Sequence, residues 1–285
     1  MTGVQTCALP IWDGDLDIVS IAWDDSSYVH VWRNNGTLPG STVRISEATD
    51  EGRDCYRIDT PTATYFYDRA GGGFTSLLDR DGTDWIGWNT AAGSAGQYRG
   101  IPNTGELHPG YEGGATTTSN ALDIGLPSVS VETMRNGWGA RWDFFPTYAK
   151  MTLHTAPSGT YWMLYEGNPG GAVEAGDRLY LSNGRNYSAN DDYPWSAGSA
   201  EPDNYEDIVN TSGSASEAEW VFFAAGEVNR SFFLAHTDDS VEDDYWQMED
   251  NMTVFGFGRS GNSSLLTEVG AELVIGFVDS TNTVT

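Results

Sequence analysis

Lysine is almost absent from this chain of 285 residues: Lys150 is the only one, and Lys plus Arg total 14 against 41 Asp plus Glu. The resulting formal charge of −27 repels phosphate backbones and anionic lipid, which argues against nucleic acid as a partner. Histidine is also scarce. His30, His108, His154 and His236 show no two-histidine spacing of a zinc site. No apolar run reaches the roughly 18 residues of a membrane-spanning helix, so no span is expected. Cysteine is limited to Cys7 and Cys55, and Cys55, between Asp54 and Tyr56 in a strand lead-in, reads as a packing residue rather than a catalytic thiol. A Gly-x-Ser-x-Gly elbow, a phosphate loop and a dinucleotide fingerprint are all missing. The acidic excess, rich in Asp, fits a secreted protein in salty water, where screening removes self-repulsion. An extracellular or cell-surface location is therefore expected.

Aromatic residues, by contrast, are plentiful, at 13% with 11 Trp and 14 Tyr, and hydrophobic residues make up 39%. Helical periodicity is scarce, and short β-rich runs alternate with Gly, Asn, Asp and Ser turns. Candidate strands include Tyr56–Ile58, Thr64–Tyr67, Phe74–Leu78, Trp85–Trp88, Val129–Thr133, Trp138–Phe145, Lys150–Thr155, Tyr161–Glu166, Glu219–Ala225, Ser231–His236 and Glu272–Phe277. This pattern predicts an all-β fold, a large antiparallel β-sandwich. Thr90–Gly125 and Ser182–Ser216 read as long loops, the second carrying Tyr187, Tyr193, Trp195 and Tyr205. Loops of that length are usually functional or disordered.

Near the N-terminus, Trp12-Asp-Gly-Asp-Leu-Asp-Ile-Val-Ser20 resembles the second half of the calcium loop in FG-GAP or VCBS repeats, the blades of β-propellers. The resemblance implies Asp13 and Asp17 as side-chain ligands and Asp15 as a carbonyl ligand, with calcium bound in an intact parent repeat. Calcium takes six to eight oxygens, so this half-loop alone is not expected to form a strong site. An apolar strand over Leu16–Trp23 and a second over Tyr28–Arg33 complete a hairpin that ends at Asn34-Asn-Gly36. Residues 1–11 are similar to a translated sequencing adapter, which leaves Cys55 without a disulfide partner. The expected organisation is residues 1–11 as an artefactual tail, 12–40 as a partial repeat forming a stray hairpin, and 41–285 as the sandwich, cut short at its C-terminus. No cofactor is expected for the sandwich, which is read as a monomeric unit of a larger chain.

A second resemblance covers Thr64-Tyr-Phe-Tyr-Asp-Arg-Ala-Gly-Gly-Gly-Phe-Thr-Ser-Leu-Leu-Asp-Arg-Asp-Gly-Thr-Asp-Trp85. It is similar to the opening hairpins of galactose-mutarotase-like supersandwiches, which recur in sugar epimerases, glycosidase domains and polysaccharide lyases. The resemblance implies a carbohydrate-related fold and, by itself, no particular activity.

The densest polar constellation is Gln97-Tyr-Arg-Gly-Ile-Pro-Asn103 followed by Glu106-Leu-His-Pro-Gly-Tyr111. Elimination from a uronate needs a cation or amide at the carboxylate, a base for the α-proton and an acid for the leaving oxygen. Arg99 or Asn103 fits the first role, and His108 or Tyr111 the other two, with Tyr98 beside them to bind substrate. Tyr165 and Glu166 end a strand before a Gly/Pro turn and are further catalytic candidates, Glu166 pairing with an acid such as Asp143 in a glycosidase arrangement. Along Trp138–Phe145, alternation puts Trp138, Trp142 and Phe144 on one face and Arg141 and Asp143 on the other. Trp138, Arg141 and Trp195 are candidate sugar contacts. Three readings stay open: a secreted lyase or hydrolase of an acidic polysaccharide, a non-catalytic carbohydrate-binding module, and an adhesion or structural domain of a large surface protein.

Overall fold

A computed structural model of the chain describes residues 5–10, 16–21, 29–32, 42–90, 101, 104–111, 115–123, 127–157, 159–172, 174, 176–181, 186–188, 220–225, 230–236, 244–249, 252–260, 263–264 and 266–279. Strands dominate: β1 (Gln5–Pro10), β2 (Leu16–Ile21), β3 (Val29–Trp32), β4 (Arg44–Asp50), β5 (Arg53–Asp59), β6 (Ala63–Asp68) and β7 (Phe74–Asp79) come first. Next are β8 (Thr116–Asp123), β9 (Pro127–Arg135), β10 (Trp138–Phe144), β11 (Tyr148–Thr155), β12 (Met163–Gly167), β13 (Arg178–Leu181) and β14 (Asn186–Ser188). The series ends with β15 (Trp220–Ala224), β16 (Ser231–His236), β17 (Asp244–Glu249), β18 (Met252–Phe257), β19 (Arg259–Ser260), β20 (Ser263–Ser264) and β21 (Glu272–Val278). The protein is an all-β antiparallel sandwich, as its sequence pattern predicts.

One layer is a nine-stranded sheet in the order β14-β13-β15-β16-β21-β11-β10-β9-β8. Facing it are a four-stranded sheet, β4-β5-β6-β7, and a three-stranded sheet, β12-β18-β17. Period-two alternation fills the space between the layers. Ala140, Trp142 and Phe144 of β10 and Ala149, Met151 and Leu153 of β11 point inward and are fully buried. The four-stranded sheet covers β9–β10: the Phe74 and Trp142 rings lie 4.8 Å apart, and those of Tyr65 and Phe144 5.1 Å. The three-stranded sheet covers β15–β16, with Tyr165 5.0 Å from both Phe223 and Phe232. Beyond the sandwich, β1, β2 and β3 form a separate antiparallel sheet, with Ile18 opposite Trp32.

The outer face of the nine-stranded sheet carries its own aromatic cluster, built from Trp220, Phe222, Phe233, Val274 and Val278. Gly276 belongs to this face, and a Cβ there would come within 2.8 Å of the Phe233 ring and 2.9 Å of the Thr147 carbonyl. The backbone carbonyl cannot swing aside, so Gly276→Ala is expected to cost about 1–3 kcal/mol. Urea melts of the two proteins check this, and equal midpoints would contradict it.

Three expectations need correction. The run Trp85–Trp88 is a bend rather than a strand. Asp84 Oδ1 accepts the Leu77 and Ile86 amides at 3.0 and 3.1 Å, and its Oδ2 accepts the Gly87 amide at 3.2 Å. The two tryptophans still reach the core from that bend. The long loop expected over Thr90–Gly125 contains β8, whose residues pair with β9 from Thr116↔Met134 to Asp123↔Pro127. That expected over Ser182–Ser216 contains β14, which pairs with β13 from Arg178↔Ser188 to Tyr180↔Asn186.

Burial drives the Asp84 carboxyl up to about 6 from 3.8, against the three amides that favour its ionised form. Asp84 therefore binds its proton more tightly folded than unfolded. The associated stability is present below about pH 4 and is lost as pH rises through about 6, amounting to at most ~2–3 kcal/mol. The stability of wild type relative to Asp84→Asn is expected to rise on acidification through this window. Parallel stability–pH curves would contradict it.

Candidate functional site

Residues 104–111 fold over one end of the sandwich, between the β6–β7 turn and the β9–β10 turn. Asp68, fully buried at the end of β6, anchors this segment. Its Oδ2 accepts the Gly110 amide at 2.9 Å and Arg53 Nε at 3.1 Å. Arg53 Nη2 donates in turn to the Tyr111 carbonyl at 2.6 Å. At the other end of the segment, the Thr104 amide and carbonyl pair with Leu107, and Thr104 Oγ1 donates to the Trp162 carbonyl at 2.8 Å. Gly105 lies directly on the Trp138 ring, where a Cβ would come within 2.4 Å, and has φ of +56°. Only glycine meets both conditions without displacement.

Within this frame His108 is buried and its ring lies 4.1 Å from that of Tyr111. His108 Nδ1 is 3.0 Å from the Pro109 carbonyl. A carbonyl oxygen only accepts, so Nδ1 carries the proton, and in the neutral ring Nε2 is the acceptor nitrogen. Arg135 also packs on Tyr111, its guanidinium carbon 3.9 Å from the ring centroid. Arg135 Nε is 3.5 Å from Glu106 Oε2, which also accepts a hydrogen bond from Asn136 Nδ2. A locked loop thus gathers a histidine of defined tautomer, a phenol, a guanidinium and a carboxylate.

The structure brings together three of the expected residues, His108, Tyr111 and Trp138. Tyr98, Arg99, Asn103 and Trp195 lie outside the described residues, as do Asp13 and Asp15. Asp17 sits on β2 opposite Leu9. Among the described residues no group of three or more His, Cys, Asp or Glu side chains is arranged to hold a metal ion.

Tyr165 lies on the edge strand β12, but its side chain does not face solvent. It is fully buried between the layers and its hydroxyl donates to the Trp85 carbonyl. Burial raises its pKa well above that of a free phenol, with Asp84 and Asp177 adding to the effect. Packing, not chemistry, explains this residue. Alternation turns Glu166 away from that core, whereas Asp143 projects from the far face of the nine-stranded sheet. Strand alternation therefore does not direct the two carboxylates towards each other.

Arg141 lies on the outer sheet face, its Nε 2.7 Å from Asp143 Oδ1. Register places Asp143 beside Lys150, which reaches Glu272 at 2.6 Å. Next to them the Phe145 and Tyr148 rings stack at 4.6 Å and 27°. Burial raises the pKa of the Tyr148 phenol, and the nearby Asp143 and Glu272 charges raise it further. Sequence reasoning overlooked Arg135. In the structure Arg135 shares one phase of β9 with Val129, Val131 and Thr133, and all four are buried.

No protein-family model and no curated protein matches the sequence. Solved structures similar in overall course include HI1317, at a TM-score of 0.49 and 10% identity over 84% of this chain and 99% of that one. YeaD from Salmonella typhimurium, a candidate mutarotase, gives 0.47 and 9% over 87% and 97%. A galactose mutarotase-like protein from Lactobacillus casei gives 0.35 and 10% over 78% and 98%.

Proposed function

We propose that the chain is a secreted carbohydrate-active protein, a lyase or hydrolase of an acidic polysaccharide, acting at the end of the sandwich closed by residues 104–111. The observation that carries this reading is the fixed tautomer of His108: Nδ1–H is spent on the Pro109 carbonyl, which makes Nε2 the basic atom. In an elimination, Nε2 takes the proton α to the uronate carboxylate. Its electron pair becomes the new double bond, and the glycosidic oxygen leaves with a proton from an acid. The Tyr111 phenol is the candidate acid. Arg99 and Asn103 are proposed to contact the same substrate. Hydrolysis by paired carboxylates has less support, because Glu166 and Asp143 face away from each other.

A second reading, a carbohydrate-binding module, is favoured by the outer sheet face. There the stacked Phe145–Tyr148 pair adjoins the Arg141–Asp143 and Lys150–Glu272 ion pairs. Flat rings flanked by charged hydrogen-bonding groups suit a sugar chain lying along a sheet. Incubating the full chain with a panel of acidic and neutral polysaccharides separates the two readings. New unsaturated ends are expected from elimination. Retention of polysaccharide without new ends of any kind would replace the enzyme reading by the binding-module one.

A further inference from the structure

Arg53 precedes Tyr111 by 58 residues, yet one edge of its guanidinium ties that residue to the sandwich. Nε donates to Asp68 Oδ2 at 3.1 Å, and the adjacent Nη2 donates to the Tyr111 carbonyl at 2.6 Å. The Arg53 side chain is 15% exposed and that of Asp68 is fully buried. A planar edge with two donors is peculiar to arginine, since an ammonium is a single point. Arg53 is itself firmly placed. It opens β5 directly after Glu51 and Gly52, whose φ angles of +47° and +77° make the tight turn that joins β4 to β5. Asp50, paired with Arg53 across that turn, accepts Ser76 Oγ at 2.7 Å and pins the hairpin to β7.

His108 is seated by different means. A Cβ at Gly73 would come within 2.6 Å of Pro109 Cδ and 3.0 Å of His108 Cα. One at Gly71 would come within 2.4 Å of the His108 carbonyl. The β6–β7 turn thus carries the backbone of residues 108 and 109 in direct contact. The two rings, 4.1 Å apart, are held from two sides: His108 by the glycine turn, Tyr111 by Arg53. Asp68 Oδ2, which accepts both the Gly110 amide and Arg53, couples the two devices.

We propose that Arg53 is a positioning residue: by gripping the Tyr111 carbonyl it holds the phenol against His108 and sets the separation of the two groups. The catalytic consequence rests on the elimination reading above, in which that separation is the distance between proton acceptor and proton donor. A displacement of about 1 Å in such an arrangement can cost on the order of 10²-fold in rate.

The test is Arg53→Lys in the full chain, which keeps a cation beside Asp68 but cannot serve both acceptors. The first readout is NMR of ring-labelled histidine, with the His108 signal identified by its loss in His108→Gln. The Tyr111 ring current displaces that signal, and Tyr111→Leu gives its value without the ring. Arg53→Lys is expected to move the His108 signal at least half-way to that value. The second readout is polyuronate cleavage, where kcat is expected to fall about 10–100-fold and KM to change less than about 3-fold. If thermal melts show Arg53→Lys unfolded, the Arg53→Met/Asp68→Asn double variant takes its place, because it leaves no buried charge unpaired. An unmoved His108 signal in a folded variant, or a wild-type kcat, would overturn the role of Arg53 and leave the elimination reading standing. If the wild-type chain cleaves no polyuronate, the elimination reading falls and the His108 signal alone decides the assignment of Arg53.

Discussion

His108→Ala is expected to lower the rate of uronate cleavage by about 10²–10⁴-fold, the usual contribution of a positioned general base. The size of the effect follows from how completely the imidazole is prepared. Pro109 accepts the Nδ1 proton, Tyr111 packs against the ring, and Asp68 fixes Gly110 two residues away. The imidazole is oriented before substrate arrives, and removing the ring takes away the proton acceptor. The loss should therefore fall on kcat, with KM changed far less, because the sugar is gripped by other groups. A variant that keeps wild-type kcat, or loses only affinity, would assign His108 to packing.

Arg230→Met is expected to cost about 3–5 kcal/mol, which for a chain of this size lowers Tm by on the order of 10 °C. Arg230 is 5% exposed and Asp79 1%, and the two are joined by an Nη1–Oδ2 contact of 3.0 Å. The same Nη1 is 2.9 Å from Asp81, and Nε is 3.3 Å from Asp279. Burial works against the cation, but Asp79 and Asp81 outweigh it and raise its pKa. The knot joins the end of β7, the start of β16 and the end of β21, at the opposite end of β7 from residues 104–111. Without Arg230, Asp79 keeps only the Trp85 indole and the Asp81 and Thr83 amides, and an inward-facing carboxylate stays uncompensated. Arg57→Met offers the contrast, because its pair with Asp59 is exposed and worth less than about 1 kcal/mol. Equal melting points for the two variants would refute the assigned role of the knot.

Interior strands were legible in the sequence because they carry the chemistry of burial. Trp138–Phe144 alternates, Ser231–His236 carries a continuous apolar run buried on both faces, and both lie inside the nine-stranded sheet. The strands that sequence reading overlooked, β1, β4, β8, β14, β17, β19 and β20, all lie at sheet edges. An edge strand covers less of the core and protects its open side with polar and charged residues. Arg44-Ile-Ser-Glu-Ala-Thr-Asp50 and Thr116-Thr-Thr-Ser-Asn-Ala-Leu-Asp123 accordingly read as loops. Trp85–Trp88 failed in the opposite direction: its residues have strand composition, but the Asp84 carboxylate captures the local amides and bends the chain. At the candidate site, the clustering of His108 and Tyr111 was visible because they are neighbours in sequence. Arg135 was not, because its approach to them depends on how β9 meets a loop more than twenty residues earlier.

Hydrogen exchange on the full chain, with and without a polyuronate oligosaccharide, locates the bound sugar directly. Added protection is expected at residues 104–111 and at the β9–β10 turn around Arg135 and Asn136, while β11 and β21 change little. Protection confined to the Arg141, Tyr148 and Lys150 sheet face, with residues 104–111 unaltered, would contradict the site assigned here.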